Sequence, residues 1–248
     1  MNILVSIDDT DNIESRGTGA LASLLSDALE NNSWGRCRPV TRHQMLLHPD
    51  IPYTSHNSSM CFVAETQTEF LDAFTEFAQS FLQRESASGS DPGLCIVNRD
   101  RLGDPNALMA FGKKAKTTIV TKEEAYQLAE RLDVHLSEHG GTGLGVIGAL
   151  AGCGLRLTGN DGRFRGHFKV SAEGDRLSVA ELRQQTGVDV VKSLNGAVLQ
   201  DEEVAQIGEK VKAVLQNGKS TLLVFADPGA QPGQTVWRTC TKQQLRDY

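Results

Sequence analysis

Asn2-Ile3-Leu4-Val5-Ser6-Ile7-Asp8-Asp9-Thr10-Asp11 is a short apolar run that breaks off in three carboxylates within four positions. Its length and composition read as a buried strand, Ile3 to Ile7, with the acids at its carboxyl end. Beyond it, Leu21, Leu24, Leu25, Ala28 and Leu29 fall at i, i+3, i+4, i+7 and i+8, one face of a helix ending near Asn31-Asn32. Residues 39–47 read as a strand, and so do residues 60–63. Thr66 with Glu69 reads as a capping box for a helix whose Phe70, Phe74, Phe77 and Phe81 form a buried ridge. Leu94 to Val97 is another buried strand. The order strand, helix, strand, strand, helix, strand predicts an α+β protein with a ferredoxin-like βαββαβ N-terminal unit, followed by a second α/β region.

Further on, Thr121 with Glu124 predicts a capped helix to about Val134, and a second short helix follows the glycine run 140–148. Asn160-Asp161-Gly162 suggests a hairpin, Ser178 with Glu181 caps a helix, and Val204, Ile207, Val211 and Val214 suggest a longer one. Thr221 to Phe225 reads as a strand. A boundary near 155–170 divides residues 1–160 from a smaller α+β domain, 161–248.

The 248 residues suffice to bury a core without disulfide or metal staples. A formal charge of -6 excludes a globally basic nucleic-acid surface but not a local basic patch. The run after Met1 lacks the pattern of a secretory signal, and no window approaches a membrane span, so a cytoplasmic protein is expected. Five scattered cysteines without a C-x-x-C pair fit reduced thiols.

Asp8, Asp9 and Asp11 carry the chemistry. Hard oxygen ligands at a strand end suit Mg2+, which takes one or two carboxylates and fills its octahedron with water and phosphate oxygens; a solvated turn capping the next helix is the equally weighted alternative. The glycines from Gly141 to Gly145, with Thr142, could cradle phosphate at a helix start or simply allow close packing. The spacing Gly143-x-Gly145-x-x-Gly148 follows a predicted helix, so the Rossmann reading is rejected. Lys113, Lys114 and Lys116 suit phosphate neutralisation, though such a run is more often solvated. His135 and His139, at the helical spacing i, i+4, are a weak metal pair; His56 is the better substrate-contacting candidate.

The string Ile7-Asp8-Asp9-Thr10-Asp11 resembles the opening motif of the archaeal tRNA agmatinylcytidine (agmatidine) synthetase family, which joins agmatine to a cytidine in the isoleucine tRNA anticodon. The similarity continues at Asp50-Ile51-Pro52-Tyr53, at Pro92-Gly93-Leu94-Cys95-Ile96-Val97, at Lys114-Ala115 with the helix from Glu123, and from Gly143 to Ala151, over roughly the first 150 to 165 residues. The resemblance implies an ATP-dependent kinase-like domain over residues 1–160. Asp8, Asp9 and Asp11 would be catalytic metal ligands and Thr18 a catalytic hydroxyl. Gly141, Thr142, Gly143, Gly145 and Lys114 would bind the nucleotide, and Tyr53 and His56 the substrate; ATP and Mg2+ would be the cofactors. The chain departs from the family at Arg16-Gly17-Thr18-Gly19-Ala20, where the family has Gly-x-Cys-Thr-Thr, and at Thr54 to Ser59, which lacks Arg and Lys. With no zinc-ribbon cysteines either, the expectation is phosphoryl or nucleotidyl transfer to a small-molecule acceptor, with tRNA disfavoured. A tRNA-modifying enzyme working with a partner chain and a non-catalytic nucleotide-binding module are the alternatives.

Overall fold

The computed structural model describes residues 1–51, 57–172, 175–229, 236–246 and 248, which fall into two compact units, Met1–Thr158 and Gly159–Tyr248. Unit 1 is built around β1 (Asn2–Asp8). From there the chain forms α1 (Thr18–Asn31), β2 (Gly35–Cys37), β3 (Thr41–Gln44), β4 (Ser58–Thr66), α2 (Leu71–Glu85) and β5 (Gly93–Asn98). It continues through α3 (Pro105–Ala115), α4 (Lys122–Leu132), β6 (His135–Glu138) and α5 (Gly145–Leu157). The strands lie in the order β6-β5-β1-β4-β3, each neighbour antiparallel, with β2 also on β4.

Successive side chains of a strand point to opposite faces, and β1 uses both. Ile3, Val5 and Ile7 enter a core with Leu21, Leu25 and Leu29 of α1 and Phe74, Ala78 and Phe81 of α2. Leu4 lies in a second core with Leu108 and Phe111 of α3, Leu128 of α4 and Leu150 of α5. Period two therefore puts Ser6 and Asp8 on the α5 face. Helix α5 can lie close because it is made of small residues there. A Cβ at Gly152 would collide with the hydroxyls of Ser6 and Ser59, and one at Gly148 with the Asp8 carboxylate.

Unit 2 contains β7 (Arg163–Phe164), β8 (Arg176–Ser178), α6 (Val179–Thr186), β9 (Val190–Ser193) and β10 (Val204–Gln206). It closes with β11 (Ala213–Gln216), β12 (Lys219–Ala226) and β13 (Trp237–Thr239). The order β7-β11-β12-β13-β10-β8, with β9 on β12, mixes parallel and antiparallel pairs over a core that includes Val191, Val211, Leu222 and Val224. The chain is a mixed α+β protein, as expected. No helix among the described residues is long and apolar enough to cross a membrane.

Several expected elements differ. Val204, Ile207, Val211 and Val214 belong to no helix: the segment forms β10 and β11, because neighbouring apolar residues such as Ala205, Ala213 and Leu215 are buried as well. Their spacing matched a helix period by coincidence, and their β-branched side chains favour strands. Thr66 does not cap α2; it ends β4 with its hydroxyl on the Trp34 carbonyl at 2.5 Å, and α2 begins after a 3-10 turn, Thr68–Phe70. Helix α4 stops at Leu132, where Asp133 adopts φ 53°, and the chain turns into β6. His135 and His139 thus lie on and just beyond a strand, joined through the Ser137 hydroxyl at 2.9 and 2.8 Å. The Asn160-Asp161-Gly162 hairpin does not form, since α5 runs to Leu157 and β7 pairs with β11. The capping boxes at Thr121 and Ser178 start α4 and α6 as read, Ser178 with the reciprocal Glu181 bond.

Candidate active site

At the carboxyl end of β1 the chain turns sharply, with Asp9 at φ 50°. A left-handed backbone at a non-glycine residue costs free energy and persists only where surrounding contacts impose it. Those contacts tie the loop to the start of α1. The Thr18 hydroxyl donates to Asp11 Oδ1 at 2.8 Å, and the Thr10 hydroxyl lies 3.1 Å from Thr18 Oγ1. Gly17, which precedes α1, makes no side-chain cap, so Thr18 and Asp11 organise the helix entrance instead.

Asp8 is only 9% exposed and faces the first turn of α5, the positive end of that helix dipole. Burial, then the neighbouring Asp9 charge, push its carboxyl up to about 8, partly offset by a hydrogen bond from the Asp9 backbone. Burial, then the Asp91 and Asp11 charges, push Asp9 up to about 6. The fold therefore holds acidic groups where their charged forms are costly, a deficit that a cation relieves. Among the described residues no three His, Cys, Asp or Glu side chains form a complete ligand group.

Asp91, in the loop before β5, is a site residue that the sequence did not single out. Its carboxylate accepts from the Thr142 N–H at 2.6 Å and the Thr142 hydroxyl at 2.5 Å, and its carbonyl accepts from the Gly145 N–H at 3.1 Å. Lys122 holds the same turn from the other side, through the Thr142 carbonyl at 3.0 Å and an ion pair with Glu138. Gly141 and Gly143 adopt φ 56° and 73°, which a Cβ would strain, so the turn needs glycine there. The one available signal was the Asp91-Pro92-Gly93 punctuation before β5. Gly93 itself packs backbone to backbone, since a Cβ there would collide with Gly145 and Val146.

One cleft gathers Asp8, Asp9, Asp11, Thr18 and Gly145. Gly148 lines it too, and Met45, Ile51, Ile119, Val120 and Leu144 give it an apolar wall beside the acidic end. Gly141, Thr142 and Gly143 are not among its described lining residues, and the Thr142 N–H is taken by Asp91. Lys114, at the end of α3, pairs with Glu124 at 2.9 Å on the surface. Tyr53 and His56 lie outside the described residues.

No family model matches the chain. A curated relative, the isoleucine-tRNA 2-agmatinylcytidine synthetase TiaS of Methanosarcina acetivorans, is 28% identical over 158 residues, which is 62% of this chain and 36% of that protein. The chain thus spans about a third of the curated relative it matches. Among solved structures, a complex of TiaS with its isoleucine tRNA and ATP aligns with TM-score 0.54 and 20% identity, over 80% of this chain and 48% of that one. A tRNA fluorescent labelling enzyme aligns with TM-score 0.55 and 19% identity, over 98% of this chain and 70% of that one. A complex of TiaS with the same tRNA, AMPCPP and agmatine aligns with TM-score 0.53 and 17% identity, over 96% of this chain and 59% of that one. These findings overturn the expectation that tRNA is disfavoured. The relatives act on or bind tRNA; a loop lacking Arg and Lys, the missing zinc-ribbon cysteines and the overall charge had pointed the other way, and none of these limits where else an RNA strand meets the protein. Over 158 residues this chain is similar in sequence to a tRNA 2-agmatinylcytidine synthetase, and it shares the fold of the solved TiaS structures.

Proposed function

We propose that unit 1 is the catalytic region of an ATP- and Mg2+-dependent enzyme that transfers a phosphoryl or nucleotidyl group during modification of RNA, a tRNA being the expected acceptor. The observation that carries this reading is the convergence of Asp8, Asp9, Asp11 and Thr18 with the first turn of α5 in a single cleft. Phosphoryl transfer asks a protein chiefly for positioning and charge neutralisation. Asp8 and Asp9 would hold the magnesium ion, which when bound neutralises phosphate oxygens. Asp11 keeps the Thr18 hydroxyl oriented at the cleft. Asp91 and Lys122 fix the turn that delivers α5, and the apolar wall from Met45 to Leu144 excludes water from one side of the cleft.

The strand order β5-β1-β4-β3, all antiparallel, with α1 and α2 on one face, supports reading β1 to β5 as a ferredoxin-like split β-α-β. Residues 1–160 would be the kinase-like domain and 161–248 a smaller companion.

The test is turnover of labelled ATP by the full chain with Mg2+, with and without total tRNA. Release of ADP, or of AMP and pyrophosphate, that depends on tRNA and is lost in Asp9→Asn is the expected result. ATP consumption indifferent to both would overturn the reading.

A further inference from the structure

We propose that unit 2 carries an RNA-backbone contact surface, a basic ribbon made by residues 165–169 and 210–212. This deepens the proposed function and rests on its RNA acceptor. The stretch Arg163-Phe164-Arg165-Gly166-His167-Phe168-Lys169 alternates basic with aromatic or small residues. The Phe168 N–H donates to the Val211 carbonyl at 2.8 Å, and an antiparallel bridge joins these two residues. Phe164, Phe168 and Val211 pack in the unit 2 core.

Residues directly opposite in an antiparallel pair share a face, and neighbours along each strand take the other one. The bridge register therefore sets Lys169 opposite Lys210 and His167 opposite Lys212, on the side turned away from Phe168 and Val211. Arg165, His167, Lys169 and Lys210 are exposed. Lys212 is half-buried and donates to the Gly166 carbonyl at 2.8 Å, which steadies the ribbon.

Like charges facing each other across an antiparallel pair destabilise it. Core packing does not explain them, since both lysines point away from it, whereas a polyanion converts the repulsion into binding. His167 and Lys169 flank the bridged Phe168, and the i, i+2 separation in extended chain, about 6.6 Å, is comparable to that of successive phosphates on one nucleic-acid strand. Because the aromatic residues turn inward, the ribbon offers charge without stacking platforms, so it would follow the backbone and not read bases. His167 and Lys169 line a shallow groove whose other charged lining residues are Asp175 and Glu209. Charge balance agrees: unit 2 has 12 Lys and Arg against 11 Asp and Glu, while unit 1 has 13 against 20.

The test is fluorescence anisotropy with labelled tRNA and the full chain, from 50 to 200 mM salt, comparing the wild type with the double variant Lys169→Gln/Lys210→Gln. Affinity should fall at least about tenfold, and the slope of log K against log salt should shrink by about 1.8, the loss of two phosphate contacts. Mg-ATP binding by calorimetry should be unchanged. Lys210→Glu, which sets opposite charges beside the bridge, should raise Tm while weakening tRNA binding more than the double glutamine change. If the wild type binds tRNA and the glutamine variant matches it in affinity and slope, the ribbon is refuted while the RNA acceptor stands. If the wild type binds no tRNA at 50 mM salt, both fall.

Discussion

Unit 1 and unit 2 each hold like charges side by side, yet in opposite surroundings. In unit 1 the acids sit at a strand end against the first turn of α5, where burial raises Asp8 and Asp9. In unit 2 the lysines stand on an exposed ribbon, where solvent screens them. A buried cluster is discharged by a tightly held cation or by protons; an exposed one needs only a mobile polyanion. The glycines differ in the same sense. In unit 1 Gly93 serves close backbone contact, whereas in unit 2 Gly196, at φ 100°, has no atom near a Cβ and serves only its turn.

The sharpest way to break this comparison is at those glycines. Gly93→Ala drives a Cβ into the backbone of Gly145 and Val146, with no flexible side chain to yield. It should cost about 3 kcal/mol, against about 1 kcal/mol for Gly196→Ala, which meets only backbone strain. Urea unfolding of the two variants measures the difference, and equal losses would show that the approach of α5 to β5 is not tight.

At the acidic end, Asp9→Asn should lower ATP-dependent turnover by about a hundredfold, near 2.7 kcal/mol, and Mg-ATP affinity by at least about tenfold. Steady-state kinetics with calorimetry checks both, and unchanged Mg2+ dependence would remove Asp9 from the metal site.

The pH response sharpens the contrast further. Asp8 and Asp9 are raised above the ordinary 3.8, so in the metal-free protein the folded state keeps protons that the unfolded chain releases. Their contribution to stability is full below about pH 4 and is lost as pH rises through about 6 and then about 8. Tm measured without metal should therefore fall by several degrees from pH 4 to 8, and the fall should flatten in Asp8→Asn or with added Mg2+. Basic residues on the unit 2 ribbon should leave this profile unaltered when changed to glutamine.

The smallest effect belongs to Thr18→Ala. It removes the hydroxyl bonded to Asp11, so activity should drop less than tenfold, about 1 kcal/mol. Incubation with γ-labelled ATP should leave the wild-type protein unlabelled at Thr18; stoichiometric label would make this hydroxyl a phosphoryl acceptor and reverse the order of the two variants.

From the chain alone, β1, α1, β4, the Phe ridge of α2, β5 and the start of α5 were legible, because each is a strongly periodic segment whose burial depends on its own pattern. The acidic loop was legible for a different reason: three carboxylates in four residues demand an explanation wherever they fall. Strand β6 and the β10–β11 region were not, since short segments satisfy helix and strand periods equally well until neighbours are known. What only the tertiary structure decided is which groups meet. Asp91, more than 80 positions from Asp9 in sequence, joins the acidic site because β5 pairs with β1 and brings its leading loop alongside the β1 end. Likewise, local sequence set His167 and Lys169 on either side of Phe168, but only the bridge of Phe168 with Val211 put Lys210 and Lys212 across from them. Local pattern reports the conformation of one segment, whereas a site is a property of register between segments, and register is set by the shared burial of residues distant in sequence.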